Sequence, residues 1–153
     1  MSKPAVPTFR ELSREESEAI LARNGVGRIA YADAARVHIQ PIGYVYDDGV
    51  INCRTSPGHK FEVLSRYPYV SFEVDEVEGP FSWRSVVATG TAYQADPEGS
   101  PHEREAHTRA LELFRRVIPA TLTDDDPTPY RSVVLRIHIA HMTGREAFLG
   151  EER

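Results

Sequence analysis

The stretch Arg36-Val-His-Ile-Gln-Pro-Ile-Gly-Tyr-Val-Tyr-Asp47-Asp48-Gly49-Val50-Ile-Asn-Cys-Arg-Thr-Ser-Pro-Gly-His-Lys60 holds a long strand, a turn, a returning strand and a helix start. Asp47-Asp48-Gly49 is a hairpin signal, because a tight turn needs residues that tolerate positive φ, and Val50 to Arg54 returns from it. Pro41 and Gly43 interrupt the first strand, so this part of it belongs at an edge or a bulge, where a ladder hydrogen bond is not required. At the far end Ser56 offers a capping oxygen and Pro57 suits a first helical position. The unpaired N–H groups of such a first turn favour an anion. Arg54, His59 and Lys60 add cationic groups nearby, and a phosphate suits the arrangement better than other common ligands.

Outward from this hairpin the same antiparallel character continues. Residues 1–10 carry two prolines and read as an extended arm. Ser13 and Glu16 form a capping box for a helix that Asn24-Gly25 stops, and Gly27 to Ala32 reads as a short strand. The helix from Pro57 ends near Arg66, since Pro68 biases Tyr67 away from helical geometry. Tyr69 to Asp75 alternates as a half-buried strand, and Ser82 to Ala95 is a longer one with a kink or bulge at Gly90. Glu103 to Val117 is an amphipathic helix, Asp124 to Pro129 a solvated acidic turn, and Tyr130 to His141 the last strand. Six or so strands in hairpins with few helices predict a mainly β fold with peripheral helices, an antiparallel barrel rather than a parallel sheet. One domain over 11–148 is expected, followed by a tail at 149–153.

The totals narrow the function classes. A net charge of −5 over 153 residues argues against broad binding to nucleic acid or an anionic membrane. A single cysteine precludes an internal disulfide, and no apolar run reaches membrane-span length. The first residues lack the apolar core of a secretion signal, which makes the cytoplasm the expected location.

Catalytic motifs are sparse. Among six histidines, His138 and His141 fall on opposite faces of a predicted strand, and His102 and His107 flank a helix start at an unsuitable spacing, so no metal site is expected. Cys53 reads as packing, and no serine sits in a nucleophile elbow. Glycine-rich nucleotide loops are absent. Two features suit a planar heterocycle instead. Trp83 and Ser85 share a strand face, combining a stacking surface with a hydroxyl. The interrupted strand His38-Ile-Gln40-Pro41 exposes backbone groups, and an amide, that can read a polar ring edge. Each feature has an ordinary alternative: a core tryptophan, or a bulge that bends a strand.

In order and spacing, these segments resemble the flavin-binding split-barrel family that includes pyridoxamine 5'-phosphate oxidase, and especially its nitroimidazole-resistance-like branch. The likeness runs through Leu12-Ser-Arg-Glu-Glu16, Gly27-Arg-Ile-Ala30, His38-Ile-Gln-Pro-Ile42, Asp48-Gly-Val-Ile51 and Gly58-His-Lys60. It continues in Phe72-Glu-Val74, Trp83-Arg-Ser-Val86 with Gly90, and Thr143-Gly-Arg145, covering roughly residues 11–147. The resemblance implies a homodimer of six-stranded antiparallel split β-barrels with FMN at the subunit interface. Carried over by position, Arg54, Thr55, His59 and Lys60 hold the phosphate and ribityl chain. His38, Gln40 and Pro41 border the ring, Trp83 and Ser85 approach it from either subunit, and Arg145 closes the site. A small planar, nitro- or quinone-type substrate would stack near Trp83 and Tyr44, with the flavin carrying the chemistry and no side chain as an obligatory acid or base. Arg136-Ile-His138 only faintly resembles the basic C-terminal segment of pyridoxamine 5'-phosphate oxidase itself, which weakens the case for vitamin B6 oxidation. Relatives of this fold also use a deazaflavin or bind haem or its breakdown products, and a non-catalytic flavin store or sensor is a further alternative for this chain. Asp47, Asp48 and the negative chain disfavour the acidic deazaflavin tail and rank FMN first.

Overall fold

The computed structural model describes residues 5–151 and contains seven strands and three helices in the order β1 (Ala5–Leu12), α1 (Arg14–Arg23), β2 (Val26–Asp33), β3 (Arg36–Asp47), β4 (Val50–Thr55), α2 (His59–Arg66), β5 (Tyr69–Gly79), β6 (Ser82–Gln94), α3 (Pro101–Val117) and β7 (Val133–Glu151). All pairings are antiparallel, in the order β1-β7-β4-β3-β2-β5-β6, and β6 pairs again with β7. Six strands therefore close into a ring, and β1 lies outside it on β7.

The ring is split because two strands change partners along their length. Residues 36–43 of β3 pair with β2, whereas Tyr44–Asp47 pair with β4. The second edge of β3 is thus unpaired around Pro41, which needs no N–H there, and the β2–β3 register runs through Pro41 without a shift. The proline marks an edge, not a bulge. Likewise Val133–His138 of β7 pair with β4, and Gly144–Glu151 pair with β1.

Two stretches are more regular than the sequence reading. Residues 5–10 of the expected arm belong to β1, and β7 continues ten residues beyond His141, through the start of the expected tail. Neither segment is persuasive by alternation alone. Between Gly144 and Ala147, however, β7 has β6 on one edge and β1 on the other, and this pairing satisfies its backbone. The remainder of the arm and tail, residues 1–4 and 152–153, lies outside the described residues.

Alternation sends Ile29, Ile42, Ile51, Cys53, Phe72, Val74, Val86, Ala88 and Ile137 into the core. Ser13 and Glu16 form the expected capping box of α1, whose Ile20 and Leu21 are buried at the ring. Tyr44 is also core, and its hydroxyl donates to the Leu21 carbonyl at 2.7 Å. It is therefore not available to stack on a substrate. Ser100 and Glu103 cap α3, which buries Ala106, Ala110 and Phe114 against Ala95 and Val134. Among the described residues, no helix is long and apolar enough to cross a membrane.

Gly90 occupies the expected irregularity, where the β6–β7 register shifts between Thr89 and Gly90. A Cβ added there would lie 2.0 Å from the His138 carbonyl oxygen, so the two strands can approach only over a glycine. Gly90→Ala is expected to lower unfolding free energy by about 1–3 kcal/mol in urea titrations, the usual cost of overpacking. An unchanged midpoint would show that the bulge accommodates a methyl group.

Candidate functional site

The end of β4 and the start of α2 form the first part of the site. Thr55 is buried, and the chain then turns through Ser56, Pro57 and Gly58. The helix begins at His59, two residues later than Pro57 suggests, and its N-cap is Gly58, not Ser56. Gly58 has φ 154° and ψ −158°, a conformation open to glycine but strained for other residues. No side chain caps this helix, so its first-turn N–H groups lack the usual side-chain acceptor.

Lys60 lies in this first turn, half buried, and forms no ion pair among the described residues. Burial lowers its pKa from the usual lysine value, and the nearby Arg131 guanidinium lowers it further. The buried Cys53 thiol is pushed up to about 12 by desolvation, which makes it a packing group and a poor nucleophile.

Arg54, expected beside Lys60 as a phosphate ligand, is turned to another task. Its guanidinium donates to Asp126 at 2.7 Å, to the Thr128 carbonyl at 3.1 Å and to the Arg131 carbonyl at 2.9 Å. Strand alternation explains the difference, since Thr55 and Cys53 point into the ring and Arg54 points out, under the loop after α3. Asp126 is likewise no solvated turn residue. It is buried and accepts from the Leu122 and Thr128 backbone N–H groups as well as from Arg54. The pair pins the connection between α3 and β7 to the end of β4.

His38 and His59 meet at the adjoining rim. The His38 ring stacks on Tyr31, with centroids 5.1 Å apart and planes at 19°, and meets His59 edge-on at 5.7 Å. Nε2 of His59 lies 3.1 Å from Asp33. Gln40 is exposed and shares the strand parity of His38, whereas Pro41 belongs to the opposite face.

That outer face carries the remaining expected residues. Trp83 is half buried, with its ring 6.2 Å from Phe9, and the buried Ala147 lies between them in register. The Ser85 hydroxyl donates to Glu73 at 3.0 Å, and the exposed Arg145 is the register partner of Ser85. Burial, then the neighbouring Asp75, raises the Glu73 pKa, although Arg28 lies 3.6 Å from both carboxylates.

The structure thus brings His38 and His59 together, places Lys60 next to His59 in the first turn of α2, buries Thr55 at the end of β4, and puts Pro41, Trp83, Ser85 and Arg145 on the outer face. Sequence reasoning missed Asp33, Tyr31, Arg131 and Glu73. Asp33 and His38 flank the short β2–β3 turn, so a diagonal hairpin count could have joined them. Arg131 gave no signal, because its approach to Lys60 depends on the folded α3–β7 connection.

Comparisons agree with this architecture. The family model described as pyridoxamine 5'-phosphate oxidase matches residues 13–146. The chain belongs to this family. A FAD-binding protein from Mesorhizobium loti, mll6688, shares 28% identity at a TM-score of 0.74, over 92% of this family member and 99% of that protein. A proposed 5-nitroimidazole antibiotic resistance protein from Bacteroides thetaiotaomicron VPI-5482 shares the fold, with a TM-score of 0.68 at 18% identity over 100% of this chain and 96% of the other. An uncharacterized protein of Rhizobium meliloti (strain 1021), RA0666, is 34% identical over 97 residues, which are 62% of this chain. The match spans 64% of that relative's length.

The Asp126 carboxyl is held below its ordinary 3.8, chiefly by the two backbone N–H groups and also by Arg54. A depressed carboxyl adds stability that is complete above its unfolded value and is lost as pH falls through the folded one. Asp126→Asn is therefore expected to lower stability at neutral pH and to flatten the acid limb of the melting temperature against pH. A variant with the parent's acid limb would remove Asp126 from the linkage.

Proposed function

We propose that the chain is an FMN-binding oxidoreductase that works as a homodimer and reduces small planar substrates of the nitro or quinone type. The observation that carries this reading is Lys60, a half-buried ammonium without a carboxylate partner among the described residues, in the first turn of a helix with no side-chain cap. A phosphate monoester suits those groups, because it accepts several charge-assisted hydrogen bonds and faces the positive end of the helix. Thr55 and His59 supply further hydrogen-bonding groups, and Arg131 adds charge. Arg54 contributes indirectly, by holding the backbone around Arg131.

A bound flavin would supply hydride or electron transfer. The chain's own residues bind, orient and exclude water. His38 and Gln40 are suited to the ring's polar edge. Pro41, Trp83, Ser85 and Arg145 lie on the outer face, which also exposes Val37 at 78%, Ile39 at 67% and Tyr69 at 72%. An apolar face of this kind favours a second copy of the chain. Pairing two copies through it would let residues on this face complete the partner's site while the rim residues hold the phosphate. The described FAD-binding relative at 28% identity supports a flavin and makes FAD the first competitor of FMN.

Micromolar binding corresponds to about 8 kcal/mol, of which one charge-assisted phosphate contact contributes about 1.5–3. Lys60→Ala is therefore expected to raise the dissociation constant for FMN about 10- to 100-fold, read by quenching of flavin fluorescence. The parent should be a yellow dimer in gel filtration once loaded. An unchanged constant would remove Lys60 from the site, and a colourless chain that takes up neither FMN nor FAD would overturn the reading. Deazaflavin and haem would then be the next titrants. A chain that binds flavin but turns over no nitro compound or quinone would instead be a flavin carrier or sensor.

A further inference from the structure

The geometry points to a divalent transition-metal site at the rim of the ring, with Asp33, His38 and His59 as its protein ligands. One ligand atom from each of the three lies within 4.8 Å of the other two. Around an ion with bonds of about 2.0–2.1 Å in tetrahedral geometry, donor atoms stand about 3.3 Å apart. The Asp33–His59 edge, at 3.1 Å, already has that length. The other two edges need only side-chain closure.

The placement follows from the fold. Asp33 ends β2 and His38 lies near the start of β3, across a turn whose Ala34 takes φ 53°. In register, Asp33 faces Arg36 and Tyr31 faces His38, so Asp33 and His38 are diagonal neighbours on one face of the hairpin. The first residue of α2, His59, comes over the same face. Three elements therefore contribute one ligand each, which is why histidine spacing along the chain does not reveal the set.

Each ligand is also disposed to bind. Stacking on the buried Tyr31 orients the His38 ring. The only ion-pair partner of Asp33 among the described residues is His59, and Arg36 across the hairpin does not pair with it. The His59 side chain is 60% exposed, which leaves a path for an ion and room for water in the remaining position. Two imidazoles and one carboxylate suit zinc, cobalt or nickel, whereas calcium and magnesium call for oxygen ligands. The site does not rest on the flavin reading, but it draws on His38 and His59, which that reading assigns to the ring edge and the phosphate, so an ion and FMN would compete for them.

The test uses the full-length, tag-free chain, stripped of metal by chelation and free of flavin. Titration with Zn2+ in a calorimeter should give one ion per chain with a dissociation constant of about micromolar or tighter, and Co2+ should develop visible d–d absorption. Bound Zn2+ should raise the melting temperature, because only the folded state holds the site. Asp33→Asn and His59→Gln are expected to weaken Zn2+ binding about 10-fold or more. His38→Phe should do the same while keeping the ring stacked on Tyr31. Partly exposed Asp33 and exposed His59 carry the test if His38→Phe fails to fold. His102→Gln should bind as the parent does. Absence of saturable binding would overturn the site, as would unchanged binding in a folded His38→Phe/His59→Gln double variant. Because flavin is absent throughout, failure to bind metal overturns this site and leaves the FMN reading untouched.

Discussion

Pairing of Trp83–Gln94 with Leu135–Ala147 closes the sheet on itself, and most of the remaining geometry depends on that closure. In a closed ring each strand has an inside and an outside, so alternation becomes a binding constraint and not just a tendency. The nineteen-residue strand β7 meets three neighbours, because its two halves carry different partners on one edge. Closure without full pairing leaves the outer half of β3 with a single neighbour. That half is where Pro41 is tolerated and where His38 and Gln40 become accessible.

Charge is sorted around this scaffold. Arg54 and Asp126 satisfy one another and fasten the long connection before β7. Lys60 is left half buried, near Arg131 and without such a partner among the described residues. A cation in that position is costly unless an anion arrives, so the fold retains an electrostatic demand that a phosphate can meet. The outer face shows the reverse arrangement. There two carboxylates, Glu73 and Asp75, lie beside Arg28 in surroundings otherwise rich in exposed apolar side chains. Exposed apolar surface of this kind is the physical basis for the second copy proposed to pack on it.

The rim adds a lesson about hidden proximity. His38 and His59 are twenty-one positions apart, and their rings meet only because α2 returns over the β2–β3 hairpin. Arg54 teaches the converse. It stands six residues from Lys60 in a run that reads as one basic cluster, yet the strand points it to the opposite side.

By itself, the sequence determined what local physics controls: the Ser13–Glu16 capping box, the Asp48-Gly49 turn, the limits of β3, the glycine at the β6 bulge and the inward set of apolar residues. These depend on neighbours within a few positions, so pattern reveals them. Only the tertiary structure decided that residues 5–12 form a strand and that β7 reaches Glu151, because each segment is held by pairing with the distant other. It also decided that Gly58 is the N-cap of α2, that Tyr44 belongs to the core, and that Arg54 serves Asp126. The reason is common to all of these. Backbone pairing and charge pairing are satisfied in space, and a residue's partner across the ring leaves no mark on its neighbours in the chain.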